Sequence, residues 1–419
     1  MAGLSLNAAN QAVDAIFVGR LGVEALAALV LLAPLAGLVA AAGIGLGAGT
    51  ANGIARALGR GAAEDARQIA GIGLIAAAFI ACLAATGLIL ARDPVLQLLS
   101  AAPGVAQQAR PYMLPLGLSL AASILQILCD FIAIGRGNAR FSLQTLALCF
   151  GLNMVLNPLF IFGLGLGLPG SAWATLAAQL VTLAVWFRHF QRAASRPRPG
   201  PLALLRPILA IGLPEAGAIA ASTLGVILLM RLAAEYGDTG SLAGFGLALR
   251  MLFMVMLPLE GFAIGILPVL AHAHGAADPG RARRILGQVL CFALLATGAL
   301  SLLLVLAPGF CAGLFSQDPA LIRAASQDLR YLAFAPPAIA LRLLTQIGLQ
   351  AAFRPRAAAL LGLAPLGWML WPVTGLVLLL AGPDALALAV SLSCMAAAIL
   401  ACAFLRQILF TPHSPAVIA

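Results

Sequence analysis

Apolar runs of membrane-spanning length recur along this chain, and nearly all of its charge falls in the short segments between them. A helix that crosses a bilayer needs about 20 predominantly apolar residues. Such runs lie near 4–18, 26–50, 69–91, 111–134, 141–163, 171–188, 208–232, 241–268, 285–308, 331–352, 357–381 and 385–406. Hydrocarbon offers the backbone no hydrogen-bond partners, so each run must satisfy its own amides by coiling into a helix. Only 9% of the 419 residues are charged, against about 25% in a soluble domain, which excludes a water-soluble globule. The pattern predicts an all-α polytopic membrane protein of about 12 transmembrane helices.

The net charge of +10 comes entirely from arginine, scattered between apolar runs. A clustered basic face with interleaved aromatics, as nucleic-acid binding needs, is not formed. The arginines read as topology instead. Sixteen fall in segments on one side of the predicted membrane and six on the other, and basic loops stay cytoplasmic. Both termini are therefore expected in the cytoplasm, with the chain in the inner membrane. The longest polar stretch, 191–207, divides an N-terminal six-helix lobe, 1–190, from a C-terminal one, 208–419.

The two lobes also repeat each other. Leu26-Ala27 recurs as Leu242-Ala243, Gly61-Ala62-Ala63 as Gly275-Ala276-Ala277, Ser100 and Pro103 as Ser316 and Pro319, and Gln126 as Gln346. Offsets of 214 to 220 separate the copies. Two pseudo-symmetric six-helix lobes, arranged as a parallel repeat around a central cavity, are the expected architecture.

Ionisable residues inside spans are costly and face a cavity or a partner. Those in this chain are Asp14, Asp130, Glu215, Glu260, Arg250 and Arg342, of which Glu215 and Glu260 equally suit helix ends. Asn7, Asn10, Gln11 and Asp14 share one helical face, because their spacings are three, one and three. Asn153 and Asn157 are four apart and precede Pro158, which frees a backbone carbonyl one turn earlier. An ion or substrate site and plain interhelical hydrogen bonding both account for that pair. Asp14, Asn153 and Asn157 are the candidate ion-coupling residues. Asn10, Gln11, Gln126, Asp130, Arg250, Glu260 and Gln346 are candidate cavity residues.

Other motifs carry less. Gly45, Gly49 and Gly53 repeat every fourth residue inside an apolar run, which suits close helix packing rather than a dinucleotide loop. His272 and His274 have no third ligand nearby, and a loop is expected there, so no metal site is assigned. The seven cysteines show no metal or redox spacing. No catalytic motif appears, and the reading is a transporter without an organic or metal cofactor rather than an enzyme.

The segment Asn10-Gln-Ala-Val-Asp14-Ala-Ile-Phe-Val-Gly19-Arg-Leu-Gly22 resembles the multidrug and toxic compound extrusion (MATE) family, nearest its DinF-like branch. The likeness continues through Gly45-Leu-Gly-Ala-Gly49, Ala55-Arg-Ala-Leu-Gly-Arg-Gly61, Gly135-Arg-Gly-Asn138, Leu152-Asn-Met-Val-Leu-Asn157-Pro and Gly212-Leu-Pro214. It implies a monomeric two-lobed exporter that exchanges H⁺ or Na⁺ for drugs, amphipathic organic cations or toxic metabolites. It maps an essential first-helix acid onto Asp14. It maps a fifth-helix N-x-x-x-D-P pattern onto Asn153 and Asn157, where Asn157 stands in place of the acid.

The first run is short for its family. Translation begins upstream of Met1, or that span is degenerate and the chain is a non-transporting membrane protein. A flippase of lipid-linked precursors, from the same superfamily, would need several cavity arginines to hold pyrophosphate. Only Arg250 and Arg342 are within spans.

Overall fold

Runs rich in alanine, leucine and glycine become helices longer than the runs themselves, because amphipathic turns extend each one into the polar connections. The computed structural model describes residues 10, 13–14, 16–98, 103–191, 196–236, 239–315, 318–382 and 385–410, and every regular element among them is helical. The chain divides into two compact units, Met1–Ala216 and Gly217–Ala419.

In the first unit, α1 (Val23–Gly59) and α2 (Ala63–Leu90) form a hairpin, and a short α3 (Arg92–Leu98) leads to α4 (Pro103–Gly135), α5 (Ala139–Pro158) and α6 (Leu168–Phe190). The long helix α4 is the hub, packed on α1, α2 and α6, while α5 packs mainly on α6. α7 (Leu205–Tyr236) carries the chain from the first unit into the second. The second unit continues with α8 (Thr239–Gly275), α9 (Pro279–Leu306), the short α10 (Pro308–Gly313), α11 (Pro319–Leu332), α12 (Ala335–Ala351), α13 (Pro355–Gly362), α14 (Leu370–Ala381) and α15 (Leu386–Phe410). Here α12 is the hub, packed on α8, α9 and α15. Among the described residues ten helical stretches are long and apolar enough to cross a membrane, or eleven if α11 and α12 are one bent span.

Several boundaries differ from those expected. The first predicted run falls largely outside the described residues; its end, 16–19, is helical, with Val18 buried beside Leu32, Tyr112 and Met113. The run expected at 331–352 is α12, and it is preceded by α11, which meets it at a bend of 45°. Pro336 and Pro337 have no N–H to donate, so they sit in the first turn of α12, where those donors are not needed. Helix α8 runs on to Gly275, placing His272 and His274 in its last turn rather than in a loop. Glu215 and Glu260 lie within α7 and α8 rather than at helix ends. Both short helices, α3 and α10, were invisible as spans because six or seven residues cannot cross a bilayer.

The repeat is written most plainly in four tight turns. In each, a residue with positive φ ends a helix and the next amide reaches back five residues, the geometry of a Schellman cap. Ala62 donates to Ala57 O at 2.9 Å, and Asn138 to Ala133 O at 2.8 Å. In the second unit Asp278 donates to Ala273 O at 3.0 Å, and Arg354 to Leu349 O at 2.8 Å. Donors and acceptors pair at one offset, 216 residues, where matching letters gave 214 to 220. The positive-φ residues are Gly61 and Gly137 in the first unit but Ala277 and Phe353 in the second. In this register Asp130 corresponds to Gln346 and Gln126 to Arg342, which corrects the pairing of Gln126 with Gln346.

Gly45 and Gly49 mark a close crossing. A Cβ on Gly45 would lie 2.4 Å from Gly212 O, and one on Gly49 would lie 2.1 Å from Ile208 O. The opening turns of α7 pass against α1 at backbone contact, which only glycine permits.

Candidate functional site

Pro158 withholds a donor from the helical ladder, and α5 answers with a π-helical turn over Leu159–Gly163, closed by Leu164 donating to Leu159 O at 2.8 Å. Such turns concentrate at functional sites. Immediately before it, Asn157 and Asn153 face inward and are fully buried. They belong to a stripe on α5, Ser142, Thr145, Cys149, Asn153 and Asn157, whose three- and four-residue spacing keeps it on one face.

That stripe meets the first helical segment. Asn157 donates through Nδ2 to Asp14 Oδ1 and, at 3.0 Å, to Asn153 Oδ1. Asn10 donates to Asp14 Oδ2 at 3.3 Å. One terminal atom of Asn153 lies 3.0 Å from both Asp14 Oδ1 and Asn10 Oδ1, and the other lies 2.9 Å from Thr175 Oγ1 on α6. Amide orientation decides what this geometry means. With its NH₂ inward, Asn153 serves a bare carboxylate. With its oxygen inward, it accepts from Asn157 Nδ2 but faces the acceptor oxygens of Asp14 and Asn10. Asn157 Oδ1 is buried and accepts no hydrogen bond from the described residues.

The sequence candidates divide by place. Asp14, Asn10, Asn153 and Asn157 come together; Gln11 lies outside the described residues. Gln126 and Asp130 are buried deeper in the first unit, where Cys149 donates to Gln126 Oε1 at 3.5 Å. Arg250 and Glu260 are exposed on α8. Gln346 is buried in the second unit and accepts from Arg342 Nη1 at 2.6 Å. Sequence reasoning missed Thr175, which closes the constellation from α6, and the hydroxyls of Ser142 and Thr145. Their signal was available: Ser171, Thr175, Gln179 and Thr182 repeat at helical spacing on α6, as the α5 stripe does.

Paired helical units joined by a repeat, with polar side chains buried between spans, define a polytopic membrane transporter. The chain belongs to the MatE family, whose model matches residues 3–159 and 214–373. It is 27% identical over 414 residues to a protein of Shewanella oneidensis named FAD transporter, an alignment covering 95% of this chain and 90% of that one. It is 26% identical over 296 residues to a probable multidrug resistance protein of Bacillus subtilis, covering 67% of this chain and 64% of the other. Among solved structures, the MATE transporter VcmN of Vibrio cholerae superposes with a TM-score of 0.91 at 22% identity, covering 97% of this chain and 94% of that one. A MOP superfamily transporter of Pyrococcus furiosus gives 0.88 at 23%, covering 98% and 93%. The fold is theirs, and the chain is a multi-pass transporter of small molecules rather than an enzyme.

Proposed function

We propose that the chain is a cation-coupled exporter of the inner membrane, working as a monomer with both termini in the cytoplasm, and that Asp14 is its coupling residue. In this reading H⁺ or Na⁺ enters among Asp14, Asn10, Asn153 and Asn157, and its departure is linked to the binding of an organic cation. The observation that carries the reading is the convergence of these side chains with Asn157 Oδ1 left unmet. A buried acceptor without a partner costs about 1–3 kcal/mol, and a bound cation with its water would relieve that cost. Asn157, which cannot titrate, leaves Asp14 as the only group of the four that changes charge. The DinF-like assignment and the roles of Arg250 and Glu260 in the cavity belong to the same proposal.

The test is efflux of ethidium from proteoliposomes under an imposed pH gradient and, separately, an imposed Na⁺ gradient. Asp14→Asn preserves size and hydrogen bonding, so it should insert and fold normally yet lose gradient-driven efflux. Wild-type efflux by Asp14→Asn protein would remove Asp14 from the mechanism.

One observation favours a second substrate class. Arg250 and Arg342 lie within spans of the second unit, and guanidinium groups suit phosphate and carboxylate anions. The Shewanella relative is named FAD transporter, and a flavin dinucleotide carries a pyrophosphate. Loading the same proteoliposomes with FAD discriminates between the two classes.

A further inference from the structure

A second carboxyl group is buried in the first unit, away from the Asp14 constellation. Asp130 lies five residues before the end of α4, so it stands near the arginine-rich turn at 136–138; Asn157 lies about 22 Å farther along α5, at 1.5 Å per residue from Ser142. Asp130 is 6% exposed. Ser142 Oγ donates to its Oδ1 at 2.9 Å and Thr145 Oγ1 donates to the same oxygen at 3.3 Å. These are its only hydrogen bonds among the described residues, and it forms no ion pair there. Two neutral hydroxyls on one oxygen are poor compensation for an ionised carboxylate taken out of water.

We propose that Asp130 is a second proton-binding site, loaded from the arginine-rich end and discharged in the same cycle as Asp14. The inference rests on the exporter reading for its place in transport but not for its chemistry. A proton binding to Asp130 forms one O–H bond at the carboxylate and takes the group from one negative charge to none. The surroundings can serve both forms. Thr145 Oγ1 also lies 2.8 Å from Ser142 O and 3.2 Å from Phe141 O, so its hydrogen can turn to the backbone when the carboxylate no longer needs it. Ser142 can reverse from donor to acceptor, as hydroxyls do.

The titratable and charged groups on the packed elements are Cys129 on α4, Arg140 and Cys149 on α5, Arg188 and His189 in the last turn of α6, Arg136 beyond α4, and Arg56, Arg60, Glu64, Asp65 and Arg67 at the joined ends of α1 and α2. None hydrogen-bonds to or ion-pairs with it. The repeat shows that packing does not demand an acid here. At the corresponding positions of the second unit stand Gln346 for Asp130, Ala358 for Ser142 and Leu361 for Thr145, all of them buried or nearly so. The same place in the fold is built there without an acid and without hydroxyls.

The experiment is pH-difference infrared spectroscopy of the full-length protein in lipid. Among the carboxyl C=O bands that grow as pH falls in wild type, one is expected to be absent in Asp130→Asn and retained in Asp14→Asn. In Ser142→Ala, which preserves the backbone and most packing, the band should remain and move to higher frequency, because its oxygen loses a donor. A band unchanged by Asp130→Asn, or unmoved by Ser142→Ala, overturns the proposal. The same liposomes then report on coupling: Asp130→Asn should slow gradient-driven ethidium efflux about tenfold, equivalent to about 1.4 kcal/mol, and a wild-type rate would remove Asp130 from the path. If wild-type protein moves no ethidium, the exporter reading fails while the infrared band still decides Asp130.

Discussion

The side-chain amide of Asn157 donates to the carboxylate of Asp14 across 143 residues of chain. It joins the π-turned end of α5 to the first helical segment, and it pairs a group that can change charge with one that cannot.

Replacing that amide by an acid should change how many protons the site handles. Two carboxyl groups within hydrogen-bonding distance hold a proton between them, since both cannot be ionised together. Asn157→Asp is therefore expected to steepen the pH dependence of ethidium efflux, from a one-proton toward a two-proton slope. An unchanged slope at matched expression would show that position 157 does not exchange protons.

Gly49 should tolerate nothing larger. Its Cβ would fall 2.1 Å from Ile208 O, so Gly49→Ala must push α7 away from α1, an overpacking cost of about 1–3 kcal/mol. A lower melting temperature of the purified protein in detergent is expected. Gly87, within α2, has open space where its Cβ would go, and Gly87→Ala serves as the control, neutral or stabilising. Equal melting temperatures for the two variants would refute the close crossing.

The turns predict a pair of opposite effects. Ala277 holds φ at 55°, where its Cβ is strained, whereas Gly61 at φ 76° occupies the same turn in the first unit without penalty. Ala277→Gly should stabilise, and Gly61→Ala should destabilise, each by about 1 kcal/mol. Neither change touches a neighbour at position 61, where nothing lies within 4 Å of a built Cβ. Thermal unfolding of the two proteins should move in opposite directions.

Orientation is tested independently. Reporter fusions after Arg198 and at the C-terminus should both report cytoplasm, because arginine concentrates in the connections on that side. A periplasmic signal at either position would contradict the expected topology.

Much of this was legible in the sequence. Apolar length gave the spans, and matched letters gave the repeat to within a few residues. Asn153, Asn157 and Asp14 could be singled out because polar side chains at helical spacing stand out against apolar runs. Which of them meet could not be read, since the contact between Asp14 and Asn157 depends on how separate helices pack. Thr175, Ser142 and Thr145 escaped notice for a different reason. Serine and threonine in a membrane helix can satisfy themselves on their own backbone, as Thr175 does with Ser171 O at 2.9 Å, so only their helical spacing, not their presence, marks them in the sequence. The bent pair α11–α12 was blurred because the amphipathic α11 lacks an unbroken apolar run.

The four capped turns leave no slack. Each joins two helices through three residues and closes the first of them with a hydrogen bond reaching back five residues, so an inserted residue cannot be absorbed as a loop would absorb it. An extra residue in the turn at 136–138 would rotate the whole of α5 by about 100° about its axis. Ser142, Thr145, Asn153 and Asn157 would swing out of the unit together, so that Asp130 would lose both hydroxyls and Asp14 its amide partners on α5. Chain length at these corners is thus a setting of the machine, and a change of one residue there should be more damaging than most substitutions in the helices they connect.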